Sequence, residues 1–198
     1  SDYREGLKAE LKKLGYKTVW HLLNASTFGV PQLRPRVVIV AIEDDKSDLF
    51  DWENLPTRAP KTVGETLVDL MSANGWRGAK TWAARANEIA PTIVGGSKKH
   101  GGPDLGPTRA KKAWATLGVN GMTIAEEAPE SNFAGMPRLT VPMVARLQGF
   151  PDNWHFTGRK TAAYRQVGNA FPPPVAQVVA ENIGIALQRN SRPLRRTA

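Results

Sequence analysis

The run Val37–Ile42, "VVIVAI", constrains this chain more than any other stretch. It is apolar throughout and mostly β-branched, the composition of a buried strand. Gln32, Arg34 and Arg36 lead into it at a spacing of two. In extended chain that spacing puts all three side chains on one face. A guanidinium is a planar fork of donors suited to phosphate oxygens or a base edge. Two of them beside an amide can grip a nucleotide at more than one point. The plainer alternative is a pair of solvated arginines at the start of a strand, and spacing leaves both open.

The surrounding sequence supplies the elements that would frame this strand. Leu7, Leu11 and Leu14 recur at helical spacing and Gly15 stops the helix. Tyr16 to Leu23 reads as a first strand and Arg36 to Glu43 as the second. Further on, Thr62 is a suitable N-cap for a short helix with Val63, Leu67 and Leu70 on its apolar face. From Lys80 to about Glu130 glycine, proline and basic residues dominate. The clear element there is a helix from Thr108 to Leu117, capped by Thr108 and closed by Gly118. Thr140 caps another, with Pro142 tolerated in its first turn and Val144 and Leu147 facing inward. "TAAYRQVGNAFPPP" reads as a short turn of helix ending in a tight bend. In it Gly168 allows a backbone turn, and Asn169 can cap it while presenting its amide outward. A final helix carries Val175, Val178, Val179, Ile183, Ala186 and Leu187 on one stripe, and a basic tail follows. The fold class expected is α/β.

Charge and missing residue types narrow the function. The 198 residues carry a formal net charge of +9. That favours an anionic partner, nucleic acid first and an acidic membrane surface second. There is no cysteine, which excludes disulfides, thiolate metal sites and a cysteine nucleophile within this sequence. His21, His100 and His155 are too scattered for a metal site. No run approaches the roughly 18 apolar residues of a membrane span. The amphipathic N-terminal segment lacks a signal peptide's apolar core, so a cytoplasmic location is expected. The sequence opens without Met inside a helical pattern, as expected of a piece of a longer protein. In "GGSKKHGG", Lys98, Lys99 and His100 sit in flexible backbone that matches no Walker-type spacing and better suits a basic loop tracking a DNA backbone.

Three segments in order, "NASTFGVPQLRPRVVIVAI", "RLTVPMVARLQGFPDNW" and "YRQVGNAFPPPVAQVVAENI", resemble the eighth, ninth and tenth motifs of the DNA cytosine-5 methyltransferases. The resemblance covers most of Tyr3 to Leu187 and points to that family's C-terminal half. It departs from the family where Pro142 and Met143 stand in place of a frequent acidic residue. It implies a partial Rossmann-like sheet with helices and an inserted, loop-rich target recognition region. Residues 1–50 would belong to the catalytic domain, 51–134 to the recognition domain, 135–190 to motifs nine and ten, and 191–198 to the tail. Gln32, Arg34 and Arg36 would build the pocket for a flipped cytosine, a pocket needed because the reacting carbon is inaccessible inside a stacked duplex. Asn169 and Ala170 would border the S-adenosylmethionine site. Arg138, Thr140 and Arg146 would be scaffold for the recognition domain. Lys98, Lys99, His100 and Arg109 would touch DNA.

The family's Gly-rich first motif, its Pro-Cys nucleophile and its Glu-Asn-Val are missing from this sequence. The implied partners are therefore double-stranded DNA and an N-terminal methyltransferase half, on the same polypeptide or a separate subunit. The implied reaction is transfer of a methyl group from S-adenosylmethionine to C5 of cytosine, with this chain inactive alone. Two other readings stay open: a non-catalytic DNA-binding or regulatory module that keeps the motifs as scaffold, and an RNA-directed relative of the same fold.

Overall fold

The structure, a computed structural model, describes residues 2–43, 50–95 and 102–189. A helix, α1 (Asp2–Lys13), leads into β1 (Tyr16–Asn24), a single 3-10 turn (Ala25–Thr27) and β2 (Pro35–Glu43). Helices α2 (Val63–Met71), α3 (Ala79–Arg85), α4 (Thr108–Thr116), α5 (Val141–Leu147), α6 (Lys160–Asn169) and α7 (Pro173–Arg189) follow. The fold is α/β.

The two strands pair antiparallel, in register from Tyr16 opposite Glu43 to Asn24 opposite Pro35. Residues directly opposite one another share a face. One face, with Leu23, Val40 and Ile42, packs on Val175, Val179 and Ala186 of α7. On the same face His21 stacks against Trp52 with ring centroids 5.1 Å apart. The other face carries Trp20, and Arg4 of α1 lies 4.8 Å above its ring. That helix leaves the paired residues Leu22 and Val37 uncovered, 64% and 53% exposed. The expectation of a fully buried strand is corrected to a half-buried one. Only Val40 and Ile42 of the apolar run are buried, because the sheet has two strands among the described residues and only one face fully covered.

A second, larger core gathers α2 to α6. Leu67, Met71, Trp82, Trp114, Leu139, Val144, Leu147, Tyr164 and Val167 all pack into it. Local chemistry sets its helices. Thr62 and Glu65 form a reciprocal capping box on α2. Thr140 caps α5 with proline in the first turn. Four details differ from the sequence reading. Thr108 is the first residue of α4 and not its cap, a place taken by Pro107. The unforeseen α3 begins at Gly78 with no side-chain cap and is held instead by Ala79 and Trp82 in the core. The helix α6 runs ten residues where a short turn was expected. On α7 the buried stripe ends at Ala186, leaving Leu187 exposed. Among the described residues no helix is long and apolar enough to cross a membrane. No group of His, Asp or Glu among them could hold a metal ion.

Candidate functional site

The approach to β2 alternates sharply. Gln32 and Arg34 are 0% and 1% exposed, while Leu33 between them faces outward. The backbone explains the alternation. Leu33 N donates to Ala90 O at 2.8 Å and Ala90 N donates to Pro31 O at 2.9 Å. The segment from Ala90 to Gly95 is thereby laid along residues 31–34 and covers the even-numbered side chains.

Arg34 crosses this covered space and donates to backbone from two distant parts of the chain. Its Nη1 reaches Ile93 O at 2.5 Å, and its Nη2 reaches Gly168 O at 2.8 Å and Ala170 O at 3.0 Å. Gln32 completes the frame. Its Oε1 accepts from Ile93 N at 2.7 Å and its Nε2 donates to Gln148 Oε1 at 2.5 Å. Gln148 in turn donates through Nε2 to Val167 O at 2.9 Å. Buried polar groups are costly unless bonded. Here nearly every one is bonded; the exception is Nε of Arg34, which is buried without a partner.

Among the described residues no carboxylate pairs with Arg34. Burial lowers its pKa to about 10, and the neighbouring Arg36 guanidinium adds to the effect. Arg34 remains a cation near neutral pH. Of the three residues singled out at the strand entrance, only Arg36 reaches solvent. Its guanidinium donates to Pro35 O at 2.8 Å, its one side-chain hydrogen bond among the described residues. Two adjacent guanidiniums, with no carboxylate beside them among the described residues, give this corner a positive potential.

The turn after α6 forms the opposite wall. Asn169 ends that helix on the surface, with Ala170 and a partly exposed Phe171 beyond it. The turn stays in place because two backbones nearly touch. A Cβ built on Gly168 would lie 2.4 Å from Gly95 Cα, and one on Gly95 would lie 2.3 Å from Asn169 Oδ1. Gly168 was expected to permit an unusual turn. It keeps a negative φ inside the helix, so its use is space for a crossing segment.

The remaining candidates are spread out. Arg146 bridges two elements, donating from Nη1 to Asp69 Oδ1 and from Nη2 to Asp152 Oδ2, each at 2.6 Å. Arg138 is exposed and Thr140 is the α5 cap. Arg109 is exposed on the first turn of α4. Its neighbour Lys111 is tied to Asp104 at 2.7 Å, which removes it from the free cations. Lys98, Lys99 and His100 lie outside the described residues. Sequence reasoning missed Gln148, Ile93 and Gly95. The one available signal was an amide at an inward position of "VARLQGF", directly after Leu147.

A family model described as C-5 cytosine-specific DNA methylase matches residues 2–185. The type II methyltransferase M.NaeI of Lentzea aerocolonigenes is 58% identical over 188 residues, covering 93% of this chain and 45% of that protein. M.NgoMIV of Neisseria gonorrhoeae is 46% identical over 193 residues, covering 96% of this chain and 61% of that protein. The chain thus spans about half the length of these curated relatives. Among solved structures, a DNMT2 mutant from Spodoptera frugiperda aligns with TM-score 0.55 at 15% identity, over 94% of this chain and 62% of the other. A DNA modification methyltransferase encoded within an E. coli prophage aligns with TM-score 0.53 at 19% identity, over 95% of this chain and 66% of the other. Both likenesses are of fold.

Proposed function

From its place in the C-5 cytosine-specific DNA methylase family, to which the chain belongs, we propose that it is the DNA-binding and target-recognition portion of a type II cytosine-5 methyltransferase. The reaction is transfer of a methyl group from S-adenosyl-L-methionine to C5 of a cytosine flipped out of duplex DNA. The family's cysteine nucleophile comes from elsewhere in the enzyme, because this sequence holds none. The order of the three motifs corresponds to the family's C-terminal half. On this reading residues 51–134 recognise the target, and the surrounding parts complete the catalytic domain.

The observation that carries the reading is Arg36. It is half-buried at a strand entrance, free of any carboxylate among the described residues, and set beside a locked Arg34. Such a group suits the flipped nucleotide or its phosphate, with the frame of Gln32 and Arg34 holding it from behind. Positioning of this kind removes the reorganisation that a loose side chain would need.

S-adenosyl-L-methionine, when bound, supplies the electrophilic methyl group. Asn169 and Ala170 fit one wall of its site. The Asn169 amide lies at the surface and makes no hydrogen bond to the described protein, so it can receive a polar ligand. One wall is too little for tight binding, and the chain alone is expected to be inactive. The uncovered face with Leu22 and Val37 is the surface that receives the N-terminal half. An apolar sheet face of this kind, next to an unpaired strand edge, calls for a cover. Exposed Arg109, together with Lys98, Lys99 and His100, supplies phosphate contacts.

In the enzyme that contains this chain, Arg36→Ala should lower turnover by roughly 100-fold while duplex affinity stays within about threefold. Single-turnover methylation alongside equilibrium binding measures both. Unchanged turnover on the cognate site would return Arg36 to a surface charge. Assaying RNA and DNA substrates side by side decides against or for an RNA-directed relative.

A further inference from the structure

We propose that Gln148 is a positioning residue of the methyl-transfer site, a role that rests on the reading above. Gln148 closes α5 and is 0% exposed. Its oxygen accepts from Gln32 Nε2 at 2.5 Å, and its Nε2 donates to Val167 O at 2.9 Å and Ala170 O at 3.3 Å. A single carboxamide therefore ties the approach to Arg36 on one side to the turn carrying Asn169 on the other. Gln148 touches neither base nor cofactor; it acts through the backbone and side chains that do.

Volume alone does not account for an amide here. Leu or Met would fill the same space without a polar group to desolvate. What the amide adds is direction. Gln32 presents an NH2 to it, and Val167 and Ala170 present carbonyls, so only one orientation matches donors to acceptors. That orientation fixes the distance between the two walls. Arg34 makes a parallel bond to Ala170 O from the other side, so Ala170 O is held by two donors. The position of Asn169 is thus set jointly by the strand entrance and by α5. The Gln148 amide is bonded through its oxygen and through its NH2, the condition under which such a network rigidifies.

Two variants test the role in the assembled enzyme, assayed well below the melting midpoint so that lost turnover is not lost fold. Gln148→Leu removes the amide at nearly constant volume. We expect kcat to fall about 100-fold with KM for duplex DNA changed by less than about threefold. Gln148→Glu supplies the discriminating readout. A neutral carboxyl group keeps two of the amide's three bonds, accepting from Gln32 and donating its one proton to Val167 O, while Ala170 O keeps its bond from Arg34. An ionised one sets a charge against two carbonyls. Burial and those carbonyls raise its pKa, so the variant should approach wild-type turnover at the acid end of the assay range. Above that pKa its turnover should fall by about tenfold per pH unit, a limb that the wild type lacks. A residue that only packs would leave the two profiles parallel. Wild-type turnover in the Leu variant, or parallel profiles for Glu and wild type, overturns the role of Gln148 while leaving the methyltransferase reading intact. Failure of the wild-type enzyme to methylate cytosine C5 overturns that reading, and this inference falls with it.

Discussion

The helical core and the hairpin core are built on different terms. The helical core encloses Trp114, Leu67 and Val144 on all sides, fully buried among five helices. The hairpin core closes on one face through α7 and leaves Leu22 and Val37 in solvent on the other. The same kinds of apolar residue are thus satisfied in one region and waiting in the other. A closed core supplies its own stability; a half-covered sheet leaves apolar area in water. Arg34 joins the two regions, rooted beside the hairpin and bonded to Ile93 and Gly168 of the helical side.

Cutting that joint should break the comparison most severely. Arg34→Met strips a donor from the buried carbonyls of Ile93 and Gly168, at about 1–3 kcal/mol each. We expect a loss of about 4 kcal/mol in urea denaturation, with the single transition splitting as the regions uncouple. A loss below about 1 kcal/mol would mean that the regions hold together without it.

A matched pair of leucines sharpens the contrast at somewhat smaller scale. Leu67→Ala, in the closed core, should cost about 3 kcal/mol. Leu22→Ala, on the open face, should change the stability of the chain alone by less than about 0.5 kcal/mol. The second variant should instead weaken association with the rest of the enzyme, as measured by sedimentation. Equal costs for both would show that the open face is not an interface.

The helical side was the more legible in sequence wherever local chemistry marks an element. The Thr62 and Glu65 box acts across three residues, and so does the Thr140 cap. The two threonine caps were read directly, while the return bond from Glu65 was seen only in the structure. The strand alternation at Gln32 and Arg34 was also visible, because period two is a local property. What escaped was long-range. Gln148 meets Gln32 across 116 positions, and Arg34 meets Gly168 across 134. No spacing rule reports such partners. The same holds for Gly168, whose need for space comes from Gly95, and for α3, which is fixed by burial of Trp82 and lacks a cap. The open face of the hairpin misled for the converse reason: its β-branched run states a preference for burial without stating what does the burying.

The smallest expected effect belongs to the Arg146 bridge, on the rim of the helical side. Hydrogen bonds from Arg146 hold the Asp69 carboxyl below its ordinary value. A carboxyl depressed on folding contributes stability above its unfolded pKa, and that contribution is lost as pH falls through the folded value. The loss therefore lies at pH below 3.8, the ordinary value. Asp69 is largely exposed and screened, so Asp69→Asn should shift the acid unfolding midpoint only slightly. A shift as large as that of Leu67→Ala would make the rim as important as the core.

The Gly95–Gly168 contact sets a rule for chimeras. Ile93 meets Gln32 and Arg34 through its own N–H and C=O, while its side chain is fully buried in the helical core and must stay apolar. Position 95 is tight in another way: a Cβ there would lie 2.3 Å from Asn169 Oδ1, so the exposed Asn169 side chain would have to turn away. A foreign segment exchanged for Asp51 to Ala134 keeps the joint if it arrives extended, and keeps the orientation of Asn169 as well if it carries glycine two positions after the residue bonded to Gln32. A graft without that glycine wedges Asn169 outward however well its own loops fold. The difference between a hydrogen atom and a methyl group at position 95 is thus read out at Asn169.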